Sequence, residues 1–136
     1  MNFVNQKNVV FASILLILFG WLSPAIAHEV NKSAVVLLVA KNKAGKTVGT
    51  GSGFVIQPEG TITTNYHVLV DAYSVKAYFQ NGNQVDVTGI YKIDRKKDFA
   101  ILKLTEGLYS TLELGESSSL HDYDYTSALG YLSENV

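Results

Sequence analysis

The sequence predicts an all-β protein organised as an antiparallel β-barrel. Three observations carry this. Beyond residue 27 the apolar residues fall into about six short runs, with turn signals roughly every 8 to 12 residues. No stretch there sustains the i, i+3, i+4 spacing of an amphipathic helix. Two of the turns, Gln57-Pro58-Glu59-Gly60 and Asn81-Gly82, have hairpin chemistry.

Val35 to Ala40 is a run of mostly branched apolar residues, too short for a helix, and reads as a buried strand. Lys41 to Lys46 is a polar turn containing Gly45. Thr47 to Ile56 is the next strand, with glycines at 49, 51 and 53. Pro58 at the second turn position and Gly60 at the fourth fit a type I turn. Thr61 to Thr64 returns, so the hairpin delivers His67 just past its second arm, and His67 through Asp71 reads as a helical turn. Val75 to Phe79 and Val85 to Thr88 flank Asn81-Gly82, which predicts a type I′ hairpin with positive φ at both central residues. Ile90 to Ile93 extends the second arm. Asp94 to Lys97 is a charged turn, and Asp98 opens the strand Phe99 to Leu104. Leu108 to Leu114 reads as a connection, Ser117 to Ser119 as a polar loop, and Thr126 to Gly130 as one further strand.

The first 27 residues are set apart from this fold. Lys7 precedes an uncharged apolar run, Val9 to Leu22, and Ala25-Ile26-Ala27 has the small residues of a signal-peptidase site. The expectation is a cleaved signal peptide over 1–27, hence an exported, periplasmic or secreted protein. The alternative is an uncleaved anchor, although the run is shorter than the roughly 20 residues of a membrane span. The chain has no cysteine, which excludes disulfides and thiolate metal sites. A formal net charge of −1 argues neither for nucleic acid nor for an anionic membrane surface, and neither is expected as a partner. Apart from Lys7, every Lys and Arg lies between Lys32 and Lys103, whereas residues 106–136 carry six acids and no Lys or Arg. The split suggests a second structural unit in the last thirty residues or so.

Residues that carry chemistry are few. Gly49, Gly51 and Gly53 run into a strand rather than a helix, so they form no phosphate cradle and read as close backbone approach. His67 sits on a loop at the end of a hairpin, and Asp98 opens an apolar strand where a buried carboxylate needs a partner. Such a pair matches a general base and the acid that orients it. The bland reading of each, a satisfied surface or core residue, stays open on pattern alone. His28 falls at the new terminus. His121 with Asp124 reads as a solvated loop rather than a metal site. Ser52, Ser117 to Ser119, Ser127 and Ser133 lack the tight glycine-bearing turn whose backbone N–H groups hold an oxyanion.

Three linked stretches add a resemblance. Gly51-Ser52-Gly53-Phe54-Val55-Ile56, then Gly60-Thr61-Ile62-Thr63-Thr64-Asn65-Tyr66-His67-Val68, then Asp98-Phe99-Ala100-Ile101-Leu102-Lys103-Leu104 resemble the HtrA (Deg) type of trypsin-like serine protease. Leu114-Gly115-Glu116-Ser117 and Ala128-Leu129-Gly130-Tyr131 are similar to later motifs of that family. The resemblance covers roughly residues 47 to 132. It implies the trypsin-like double-barrel fold, with the first barrel over 28–115 and the beginning of a second over 116–136. It implies that His67 is the general base and Asp98 its orienting acid, with no cofactor and no metal.

The family's nucleophilic Ser lies further along, in the second barrel. The expectation is therefore a serine endopeptidase family member, cut short before its nucleophile and inactive alone. Its partners are polypeptide substrates if a second barrel completes it, and a complementing chain that would supply that barrel. The alternatives are a non-catalytic exported β-domain that binds a protein partner, and an unstable relic.

Overall fold

The structure, a computed structural model, describes residues 31–131. The signal peptide expected over 1–27, His28 and Ser133 lie outside the described residues. Six strands follow a short 3-10 turn at Lys32–Ala34: β1 (Val35–Lys41), β2 (Thr47–Gln57), β3 (Thr61–Thr64), β4 (Ser74–Phe79), β5 (Gln84–Asp94) and β6 (Phe99–Leu104). All pairs are antiparallel, and they close into a barrel in the order β1-β2-β3-β6-β5-β4, with β4 returning to β1. The all-β barrel expected from the sequence is the observed fold.

Alternation along the strands builds the interior. Val36 and Leu38 of β1, Val55 of β2, Ile62 of β3, Ala77 of β4 and Ala100, Leu102 and Leu104 of β6 all point inward and are buried. β1 also buries Val35 and Val39 on its outer side, which explains why it reads as a continuous apolar run. β5 is long and changes partner along its length. Gln84, Val85 and Asp86 pair with β4, and the residues from Val87 onward pair with β6. Register shifts at Val87/Gly89 and Ile90/Lys92 let the strand bend around the barrel. Tyr109 and Leu112 pack on the core from the segment after β6. The Tyr109 ring stacks on Phe79 at 5.5 Å, and its hydroxyl donates to the Thr105 carbonyl at 2.7 Å.

The turns decide two expectations. Gly60 N–H donates to the Gln57 carbonyl at 3.0 Å, and Gly60 has φ 95°, as the Pro58–Gly60 chemistry demands. The Asn81-Gly82 turn is not type I′. Only Gly82, at φ 86°, is left-handed there. Gly82 N–H closes on the Phe79 carbonyl at 3.0 Å, and the Asn81 side chain accepts from Asn83 N–H at 2.9 Å. That side-chain bond holds Asn81 in a four-residue loop with one positive φ.

Beyond Leu104 the described chain forms a 3-10 turn at Ser117–Ser119 and no strand. The strand expected over Thr126 to Gly130 is therefore absent from the described residues. Its backbone finds no ladder partner: the six-strand barrel is already closed, and no other strand lies beyond β6 among the described residues. Leu108, Leu114, Leu120, Tyr123 and Tyr125 along this segment are exposed.

Candidate active site

The residue placing the site is a glycine. On β2, Gly49, Gly51 and Gly53 alternate with outward residues and face inward. A Cβ on Gly49 would collide with the Val68 carbonyl oxygen, and one on Gly51 with Val68 Cγ2. A Cβ on Gly53 would press at 3.1 Å on Leu38 Cδ1. The bare backbone of β2 thus gives the 3-10 turn Tyr66–Leu69 a seat against the barrel. Val68 plugs the core at 2% exposure, and its neighbour His67 is carried outward. The close-approach reading of the glycine run holds: the histidine turn lies over Gly49 and Gly51, and Leu38 and Val36 lie over Gly53.

Asp98 comes from the other side. The turn before β6 is set by Asp94, whose Oδ1 accepts from Lys96 N–H at 3.1 Å and Lys97 N–H at 3.0 Å. Asp98 then adopts φ 49°, a left-handed conformation that Asp tolerates better than most residues. β3 and β6 are paired, with Thr64 opposite Ala100, so the end of one delivers Asn65 to His67 beside the start of the other.

The two side chains meet. His67 Nδ1 lies 2.6 Å from Asp98 Oδ2. The other carboxylate oxygen, Oδ1, accepts from the His67 backbone N–H at 2.8 Å. Asn65 Nδ2 donates to Asp98 Oδ2 at 3.2 Å and to the Asp98 carbonyl at 3.1 Å. Asp98 thus grips the histidine by ring and backbone together. The side-chain bond to His67 holds its carboxyl below the ordinary carboxylate range, aided by the His67 backbone N–H and by Asn65. The carboxylate is therefore ionised at neutral pH and accepts the proton of Nδ1. In the neutral ring that contact selects the tautomer with its lone pair on Nε2, where no described residue makes a hydrogen bond.

One expectation needs correcting. Asp98 is not a buried carboxylate: its side chain is 42% exposed and that of His67 is 68% exposed. The dyad forms an open rim of the barrel, since Asp98 sits in the turn rather than on the apolar strand. Asn65 was the residue sequence reasoning missed. Its signal was its place two residues before the histidine, at the end of a paired strand.

The other candidates lie elsewhere. Ser52 Oγ accepts from Tyr131 N–H at 2.7 Å. Ser118 and Ser119 donate to Glu116, capping their own turn. His121 Nδ1 stands 3.9 Å from Asp124 Oδ2 on an exposed loop. Among the described residues, no three His, Asp or Glu side chains gather as metal ligands would.

The family model of the trypsin-like peptidase domain matches residues 51–135. Serine protease HTR4 of Rattus norvegicus is 38% identical over 82 residues, 60% of this chain and 17% of that protein. Serine protease HTRA1A of Danio rerio is 32% identical over 111 residues, 80% of this chain and 22% of that protein. The anti-sigma-I factor RsgI9 of Acetivibrio thermocellus is 38% identical over 103 residues, 75% of this chain and 14% of that protein. Among solved structures, the serine endoprotease from Yersinia pestis superposes with a TM-score of 0.56 at 27% identity, covering 62% of this chain and 30% of that one. The chain therefore spans less than a quarter of the length of these curated relatives.

Proposed function

The chain belongs to the trypsin-like peptidase domain family, and from that premise we propose that it supplies the general base and its orienting acid to a serine endopeptidase. The observation that carries the proposal is the 2.6 Å contact between His67 Nδ1 and Asp98 Oδ2. In this reading a serine hydroxyl gives its proton to His67 Nε2 as its oxygen attacks the scissile carbonyl. Asp98 stabilises the imidazolium that forms, and His67 returns the proton to the leaving amine. An acyl-enzyme on the serine is then hydrolysed by water through the same base.

The nucleophile comes from outside these 136 residues. Among the described residues, no serine after Asp98 stands in a glycine-framed turn, and Ser117 to Ser119 and Ser127 are exposed on the segment beyond β6. The exposure of His67 and Asp98 leaves them a face for a second unit that brings Ser and oxyanion donors. Covering the dyad would exclude water and strengthen the ion pair formed in the reaction. Polypeptides are the substrates of the completed unit. The leader-like run at 1–27 favours an exported protein, and residues 116–136 are read as the start of the second barrel.

A second reading has its own observation. Leu108, Leu114, Leu120, Tyr123 and Tyr125 leave apolar surface uncovered on one segment. A protein partner covering it would make this a binding domain without catalysis.

One experiment separates the readings. The purified 136-residue chain is assayed on unfolded casein, alone and fused to the Ser-bearing barrel of a similar protease. The proposal expects no turnover alone, turnover in the fusion, and a loss of at least about a thousandfold in the H67A fusion. A folded fusion that is inactive, or whose activity ignores H67A, overturns it.

A further inference from the structure

We infer that Ser52, Gly130 and Tyr131 form a joint that docks the chain beyond the barrel onto the outer side of β2, so that one strand sets the position of the histidine turn and of the returning segment together.

Gly51 and Gly53 face inward, towards Val68 and Leu38, so Ser52 between them faces outward. Its hydroxyl oxygen accepts from the backbone N–H of Tyr131 at 2.7 Å, a bond spanning 79 positions of sequence. Its carbonyl accepts from Thr64 Oγ1 at 2.8 Å, and Thr64 is nearly buried at the end of β3. Ser52 is thereby tied on one side to the strand that leads into Asn65 and His67, and on the other to the tail.

The second observation comes from the tail itself. A Cβ on Gly130 would stand 2.9 Å from Ser52 Oγ. Gly130 has room beside Ser52 only because it has no side chain. Leu129, Gly130 and Tyr131 line a small cleft with Lys32, Val35 and Gln80, and Leu129 and Tyr131 are, among the described residues, the least exposed large apolar ones after Leu112. Most of the segment from Leu114 to Tyr125 is exposed and lacks long-range bonds among the described residues, so residues 129–131 are where the chain touches down again.

The consequence is positional. The inner face of β2 seats Val68, next to His67, and its outer face fixes Tyr131. The strand sets the distance from the base to whatever follows residue 131. Ser52 is a positioning residue in this scheme. Only that catalytic consequence rests on the peptidase reading; the joint itself stands or falls on the 136-residue chain.

The test is amide hydrogen exchange by NMR on that chain. S52A removes the acceptor, and G130A pushes a methyl group onto it from the other side. Each is expected to speed exchange at Tyr131 by about fivefold, the worth of one ordinary hydrogen bond, while β6 amides keep their rates. S52T, which keeps the hydroxyl, restores protection. The double variant S52A/G130A should exchange no faster than S52A alone, because the clash needs Oγ. Unchanged Tyr131 exchange in either single variant, or additive effects in the double, overturns the joint. Because no activity is read, failure here is distinct from failure of the peptidase reading.

Discussion

Val68 occupies the space that a side chain on Gly51 would need, and this one contact fixes where His67 stands. A Cβ at Gly51 would overlap Val68 Cγ2, and Val68 is all but fully buried. Gly51→Ala should therefore destabilise the barrel by about 1–3 kcal/mol, the usual cost of overpacking. In a Val68→Ala background the same change should cost markedly less, since the colliding methyl is gone. Paired urea melts check this, and equal costs in both backgrounds contradict it.

Acid should weaken the fold through Asp98. Its folded carboxyl titrates below the ordinary value of 3.8, chiefly because it accepts from His67. A group lowered in the folded state stabilises fully above its unfolded pKa and loses that contribution as pH falls through the folded value. Wild-type stability should thus drop as pH falls below about 4, and Asp98→Asn should flatten that part of the profile. Thermal melts between neutral pH and acid read it out. A D98N profile that falls as steeply as wild type in this window contradicts the assignment.

Asn65 should act through Asp98. Its amide donates to both the carboxylate and the carbonyl of Asp98. Asn65→Ala should raise the Asp98 pKa towards the ordinary value and lower stability slightly. Carboxyl carbon shifts followed with pH measure the first effect. An unmoved Asp98 titration would show that His67 alone holds the carboxylate.

The far end of the barrel depends on Gly60. It has φ 95°, and a Cβ there would come within 2.9 Å of the Tyr109 ring. Gly60→Ala should cost at least about 1–2 kcal/mol from the left-handed backbone alone, and it should loosen the Tyr109–Phe79 stack. Near-ultraviolet circular dichroism and melts test both, and an unchanged melting temperature contradicts the account.

What was legible in the sequence follows from which forces are local. Strand alternation, the Pro58–Gly60 turn and the order of His67 and Asp98 are short-range or motif-borne, and the barrel carries them as read. Asn81-Gly82 misled because the Asn81 side chain bonded Asn83 N–H, a competition invisible in a dipeptide pattern. The strand expected at 126–130 is absent because a strand needs a partner, and beyond β6 the described residues hold no other strand to pair with. The glycines at 49 and 51 were readable as close approach. Their occupant, Val68, and the bond from Tyr131 to Ser52 are tertiary facts with no local signal.

The dyad itself is tested most directly by 15N NMR of the His67 imidazole. With Asp98 accepting at 2.6 Å, the neutral ring should carry its proton on Nδ1 and present an unprotonated Nε2, and D98A should release that preference. A wild-type ring protonated on Nε2 when neutral would leave no base facing a nucleophile, and would contradict the account.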